Sequence, residues 1–372
     1  MMERANPWKG RRIAMITIDG SQGEGGGQIL RTTLSLSLLT GIPFTMVRIR
    51  AGREKPGLRP QHLQAILACQ RIAQARVEGA RIGSTEIRFW PGKVRGGEYR
   101  FDIGTAGATS LLLHTLFLPL SFAEEETYLW LRGGTHVPWS PTYEFLAECW
   151  LYFMRRLGFD LDLRLLRAGF YPQGGGEMEV WIRPVKRLFP LQLLERGALL
   201  KITGYSAQAN LKEEVALRQA RYGKQLLKQA GFEVEMETAT LPSLSRNTTF
   251  ALTAYFTHSR CCYTALGARG KRAEKVAEEA CQKLLHFLRQ NGAVDEYMAD
   301  QLILPLAWAG HDSSFSVSTI TSHLLTNIHT VSAFLPVKIT VQGELGSEGT
   351  VTLTRGEGGR ETACDLHGFR SG

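Results

Sequence analysis

Three times along this chain a strand-like run gives way to a turn of small residues and then to a helical run. Residues 13–18 lead into 28–40, YRFDIGTAGATSLLLHTLFLPL spans 99–120, and SSFSVSTITSHLLTNIHTVSAFLPVKITV spans 313–341. A recurring strand–turn–helix order predicts an internally repeated α/β architecture, in which the units share a pattern more than residues. In the first unit Leu30, Leu34 and Leu38 line one helical face, and Gly41 followed by Pro43 stops that helix. A strand over 44–50 follows, then a basic loop, then a helix with Pro60 in its first turn and Leu63, Ile66 and Leu67 facing inward.

Residues 199–265 break the rhythm. A strand, LLKITGYSA, precedes a helix rich in Lys, Arg and Gln, EEVALRQARYGKQLLKQA, and further strands follow. This stretch reads as an inserted unit with a core of its own. The start, MMERANPWKGRR, reads as a short basic arm without the apolar run of a signal peptide, and the glycine-rich end after Thr354 as a tail. No apolar run approaches the ~18–20 residues that cross a bilayer, so no membrane partner is expected. Six cysteines without a CxxC pair read as reduced thiols in a cytoplasmic protein.

Charge narrows the partner. Lys and Arg number 44 against 35 Asp and Glu, a net +9 that suits a polyanion or serves solubility. The segment RIRAGREKPGLR (48–59) concentrates five basic side chains against the single Glu54, which favours phosphate.

Between the first strand and helix lies DGSQGEGGGQILR (19–31), with five glycines. It is not a Walker loop, because Gln28 and Ile29 stand where Lys and Ser or Thr belong, and Gln28 also breaks a GxGxxG pattern. Glycines at the positive end of a helix nevertheless let backbone amides face an anion. Glu24 is out of place beside a phosphate unless a divalent cation, Mg or Mn, lies between them, which marks Glu24 as a metal ligand. The alternative is a tight turn with a solvated glutamate.

In STITSHLLTNI (318–328) the period of Leu324, Ile328, Val331 and Leu335 starts a helix near Ser322, read as its N-cap, with His323 in the first turn. The helix dipole there disfavours imidazolium, so His323 is expected neutral: a base, a ligand, a nucleophile, or simply a solvated side chain.

Together GEGGGQILR, RAGREKPGLRPQH, GFYPQGGGE, EYMADQLILPLA and SHLLTNI resemble the RNA 3'-terminal phosphate cyclase family, in order, from about residue 13 to 341. The resemblance implies an α/β fold of three repeated units, each with two helices on a four-stranded sheet, and a smaller inserted α/β domain. The expected division is an arm at 1–12, a large domain at 13–185 and 277–355, an insert at 186–276 and a tail at 356–372. It also implies ATP-dependent conversion of RNA 3'-phosphate ends to 2',3'-cyclic phosphates, with His323 accepting AMP and no obligate protein partner.

By the same resemblance Tyr297, Met298, Ala299, Asp300 and Gln301 line the nucleotide pocket, and Asp300 steadies His323. Arg31, Arg50, Arg53, Gln61 and His62 hold phosphates or the RNA end, and Glu24 holds the cation. Two positions depart from the family's usual residues. His114 stands where a glutamine at the nucleotide site is expected, and His136 where an acid or amide is; for His114 a changed pH or metal profile is the expected consequence, the alternative being a ring that merely packs under a helix. A non-catalytic RNA-binding or ribosome-assembly relative is the alternative, and an enolpyruvyl-transferase-like enzyme shares the layout. The intact SHLLTNI and EYMADQ motifs favour the cyclase reading over both.

Overall fold

The computed structural model describes residues 14–23 and 25–355. The expected arm and tail, and Glu24, lie outside them. In chain order the elements are β1 (Ile16–Asp19), α1 (Gly27–Thr40), β2 (Phe44–Val47), α2 (Pro60–Ala73), β3 (Arg76–Glu78), β4 (Ile87–Trp90), β5 (Gly97–Asp102), α3 (Thr109–Ser121) and β6 (Thr127–Gly133). Next come α4 (Tyr143–Phe145), a π-helical stretch (Leu146–Trp150), α5 (Leu151–Arg156), β7 (Asp160–Arg167), β8 (Gly176–Arg183) and β9 (Gln192–Leu193). Then follow β10 (Leu199–Ala209), α6 (Glu214–Gln229), β11 (Glu235–Thr240), β12 (Asn247–Phe256), β13 (Arg260–Leu266) and α7 (Ala273–Arg289). Last are α8 (Glu296–Ala309), β14 (Ser313–Val317), α9 (Ser322–Ser332), β15 (Val337–Gln342) and β16 (Gly349–Arg355).

These strands form four sheets of four strands in a mixed α/β fold. Three share one order: β1-β2-β4-β3, β5-β6-β8-β7 and β9-β14-β16-β15. In each, the first two strands run parallel and the remaining pairs antiparallel, so a helical crossover joins the parallel pair. The fourth sheet, β11-β10-β12-β13, has a different order.

One continuous core holds the three like-ordered sheets and helices α1, α2, α3, α8 and α9 together. A second core gathers Ile202, Phe250, Leu252 and Tyr263 from the fourth sheet with Val276, Ala277, Ala280 and Phe287 of α7. The boundary expected between 276 and 277 therefore falls inside α7, and β9, expected within the insert, pairs with β14 of another sheet.

Local departures have plain causes. The strand expected to reach residue 50 stops at Val47 because Arg48 and Arg50 take positive φ, 52° and 55°, which ends extended pairing. Leu67, expected inward, is 39% exposed, since Ala65, Ile66, Cys69, Ile72 and Ala73 occupy the buried face of α2. Thr321, not Ser322, caps α9: its hydroxyl accepts from the Leu324 amide at 3.1 Å.

What positions the site is the packing of α1 against α2, α3 and α9, with α8 against α9. The N-terminal ends of α1, α2 and α9 meet, as the contacts below show.

Candidate active site

Helix α1 begins at Gly27 with Gly26 as N-cap, without a side-chain cap and without an acidic residue in its first turn. Its leading amides are thus offered to an anion at the positive end of a fourteen-residue helix. The loop before it needs glycine for two separate reasons. Gly23 sits at φ 55°, and a Cβ there would lie 2.0 Å from Thr326 Oγ1 on α9. At Gly27 a Cβ would lie 2.3 Å from His62 Nε2 and 2.9 Å from Arg31 Nη1. The loop is therefore pressed between α9 on one side and basic side chains on the other.

His62 Nδ1 accepts the Arg59 backbone N–H at 3.2 Å. Burial, reinforced by Arg31, Arg50 and Arg59, lowers its pKa to about 3, so the ring is neutral and Nε2 carries the proton. His62 is a neutral donor beside the α1 terminus. Gln61 Oε1 accepts from the Ala108 amide at 3.3 Å, which turns its NH₂ outward as a further donor.

Arg31 is lowered to about 10 by burial, against the opposing charge of Asp300, and keeps its proton at neutral pH. Arg53 Nη2 lies 3.3 Å from where a Gly26 Cβ would stand. Arg50 serves the loop itself: its Nη1 donates to the Lys55 carbonyl at 2.7 Å and the Gly57 carbonyl at 3.0 Å. Burial and the charges of Arg53 and Arg59 lower its pKa, the sign of crowded cations that an anion would relieve.

His323 is exposed at the start of α9, and its Nδ1 lies 2.8 Å from Gln28 Oε1. Gln28 Nε2 in turn donates to Asp300 Oδ2 at 2.7 Å. The order of atoms settles the tautomer. An ionised carboxylate only accepts, so Gln28 presents its NH₂ to Asp300 and its oxygen to His323. Nδ1 must then carry a proton, so in the neutral form of the ring the lone pair lies on Nε2.

Asn327 secures the same junction from behind. Its Nδ2 donates to the Asp300 carbonyl at 2.6 Å, and its Oδ1 accepts from Thr32 Oγ1 at 2.8 Å, tying α9 to α8 and α1. Gln28, Thr32 and Asn327 were given no role by sequence reasoning. Gln28 and Asn327 both lie inside the quoted motifs, but only the tertiary contacts reveal what they do.

On α8, Tyr297 is 44% exposed and packs edge-on to Tyr263, with ring centroids 6.1 Å apart. Its pKa is pushed up to about 12 by burial and by Glu296 and Asp295. Gln301 Nε2 donates to the Tyr297 carbonyl at 2.7 Å, and its buried Oε1 has no hydrogen-bond partner among the described residues. Met298 and Ala299 were expected with them, but both are fully buried in the core, so their side chains cannot line an open pocket.

His114, on α3, has a pKa lowered to about 3 by burial and by Arg31. Its Nε2 is buried with no hydrogen-bond partner among the described residues, and its ring lies 5.3 Å from Trp150. Burial thus keeps this ring neutral at neutral pH. His136 is wholly buried: Nε2 meets Glu144 Oε1 at 2.8 Å, Nδ1 meets Thr135 Oγ1 at 2.8 Å, and the ring stacks on Phe170. Burial raises the Glu144 pKa, but the charge and hydrogen bond of His136 outweigh it and leave it below its ordinary value.

Among the described residues no group of three or more His, Cys, Asp or Glu side chains could hold a metal ion.

A histidine oriented by a side-chain amide, beside a helix terminus ringed by guanidinium and imidazole donors, is the arrangement of an α/β protein suited to binding phosphate. The chain belongs to the RNA 3'-terminal phosphate cyclase family, which it matches over residues 22–341. It is 42% identical over 363 residues to the RNA 3'-terminal phosphate cyclase of Methylococcus capsulatus, covering 95% of this chain and 100% of that protein. Identity to the namesake from Pyrococcus furiosus is 41% over 341 residues, 92% of this chain and 99% of that one. The Ralstonia nicotianae protein of the same name is 44% identical over 330 residues, 88% and 94% of the two chains.

Proposed function

We propose that this protein converts RNA 3'-phosphate ends to 2',3'-cyclic phosphates at the expense of ATP, through an AMP adduct on His323. The observation that carries the reading is the Asp300–Gln28–His323 chain, because it presents Nε2 as the nucleophilic atom. The Nε2 lone pair attacks the α-phosphorus of ATP, forming an N–P bond as the bond to pyrophosphate breaks. An RNA 3'-phosphate oxygen then displaces the imidazole, which recovers its lone pair, and AMP sits on the RNA end. Finally the adjacent 2'-hydroxyl attacks the terminal phosphorus, loses its proton and expels AMP. That closure is intramolecular and gains from effective molarities of ~10⁵ M or more.

In this reading the α1 terminus, His62 Nε2–H, Gln61, Arg31 and Arg53 grip phosphate, Arg50 braces the basic loop, and Tyr297, Gln301 and His114 border the nucleotide. Any divalent cation is held by substrate phosphates together with few protein groups, of which Glu24 is our candidate. We also read the three like-ordered sheets as repeats of one unit and the fourth, with α6 and α7, as an insertion between β9 and α8. The shared strand order and the separate core support this.

The test uses ATP labelled at the α-phosphate. Protein-bound AMP that is stable to alkali, labile to acid and mapped by peptide analysis to His323 supports the reading. End-group analysis should then show cyclic phosphate from 3'-phosphorylated RNA. Replacement of His323 by Ala should abolish adduct and product together; an adduct elsewhere, or normal cyclisation by that variant, overturns it.

A further inference from the structure

Three loops adjoin at one end of the β5-β6-β8-β7 sheet, and each carries an exposed apolar side chain. Trp139 is 98% exposed, Tyr171 is 66% exposed and Leu244 is 56% exposed. Trp139 also holds a backbone φ of 64°, a region that bulky residues avoid. A tryptophan kept almost wholly in solvent on such a backbone is not explained by packing, and unusual backbone of this kind clusters at ligand clamps.

The loops are firmly seated on one another. His136 bridges to Phe170, the residue before Tyr171, and both Thr135 and His136 donate their amides to the Gly169 carbonyl at 2.9 and 3.0 Å. Below, the buried His136–Glu144 pair fixes the root of the Trp139 loop. Ser245 Oγ reaches the Phe170 carbonyl at 3.3 Å, and a Cβ on Gly175 would meet Leu244 at 2.9 Å. The exposed rings therefore stand on fixed roots.

The same surface runs into the phosphate site. A Cβ on Gly174 would lie 2.7 Å from Ala106, a Cβ on Gly107 3.3 Å from Gln61, and the Ala108 amide donates to Gln61. One end of the patch is thus continuous with the Gln61, His62 and Arg53 cluster, and exposed Arg246 flanks the other beside Leu244. Apolar rings next to cations, leading away from a phosphate grip, fit a single polynucleotide strand: cations track its backbone and rings stack its bases without reading sequence.

The geometry points to Trp139 and Tyr171 as a stacking platform for the bases upstream of the RNA 3'-phosphate, with Leu244 closing its edge. This rests on the proposed cyclase reading, since it places that phosphate beside Gln61 and His62.

Binding of a fluorescein-labelled decaribonucleotide 3'-phosphate, followed by anisotropy, tests the platform directly. Trp139→Ala and Tyr171→Ala should each raise Kd about fivefold or more, in keeping with loss of base–aromatic stacking, and Trp139→Phe should restore most of the affinity. The KM for cyclisation of the same RNA should rise in parallel, with kcat much less affected. A double variant that binds the decamer like wild type overturns the platform, as does a double variant whose one defect is loss of a dimer in sedimentation, which would make the patch a protein interface. If wild type makes no cyclic phosphate, the cyclase reading fails, and the anisotropy comparison still decides whether the rings hold RNA.

Discussion

Gln28 Oε1 lies 2.8 Å from His323 Nδ1, although the two residues are 295 positions apart in the chain. The amide orients the imidazole and, because Asp300 holds its other end, also selects the tautomer. An oxygen facing Nδ1 demands a proton there, which in the neutral ring puts the lone pair on Nε2.

Gln28→Ala removes both effects while leaving His323, the proposed nucleophile, in place. Transfer of AMP to protein should slow by about 10–10²-fold, the order expected when a group that orients a functional histidine is removed. Because Gln28 acts through His323, the loss should fall on the single-turnover rate more than on KM for ATP. Rapid-quench measurement of the adduct checks this, and an unchanged rate would remove Gln28 from the mechanism.

Two buried groups should give the protein opposite pH dependences of stability. His114, held near 3 in the folded state against 6.5 when unfolded, leaves the unfolded chain with the extra proton, so stability falls as pH drops from about 6.5 toward 3. Asp295, whose pKa is raised from 3.8 to about 7 by burial and Glu296, makes the folded state hold the extra proton, so stability falls as pH rises across that window. His62, also lowered to about 3, adds to the first trend, so His114→Gln should reduce it in part. Asp295→Asn should flatten the second, provided its side-chain oxygen still accepts from the Tyr297 and Met298 amides as Asp295 does. Urea midpoints at half-unit steps from pH 4 to 8 separate the two.

The helices and loops that carry this site were legible because hydrophobic period and glycine or proline punctuation are local signals. Leu30, Leu34 and Leu38 give α1 its buried face, and Gly41 ends it with φ 75°. His323 and the basic loop could also be singled out from residue type. Sequence could not supply the junction: Thr32, Gln28 and Asp300 meet Asn327 and His323 only after helices from distant parts of the chain pack together. For the same reason Met298 and Ala299 looked like pocket residues from their motif, while the turn of α8 sends both into the core. Neither could Trp139 be read as exposed, since an isolated tryptophan in a sequence is more often packed.

In the proposed reading Arg53, whose Nη2 lies 3.3 Å from where a Gly26 Cβ would stand, grips phosphate, so Arg53→Ala should weaken RNA binding. Removing one phosphate contact should lower the steepness of log Kd against log salt by about 0.7–0.9. Titration at several potassium concentrations measures that slope. An unchanged slope with unchanged affinity would take Arg53 off the RNA path.

Gly27→Ala should separate stability from activity. The position is helical, where Ala is favoured over Gly by up to ~1 kcal/mol, and it carries no positive φ to penalise a side chain. The new methyl would nonetheless enter space within 2.3 Å of His62 Nε2 and 2.9 Å of Arg31 Nη1. Both are ends of side chains and can turn aside, so the fold survives while the donors leave the α1 terminus. The thermal midpoint should hold or rise slightly, and AMP transfer should drop by at least tenfold. Loss of both properties together would mean that His62 cannot move and the loop is braced by it. Retention of both would show that phosphate does not bind where the α1 terminus, His62 and Arg31 converge.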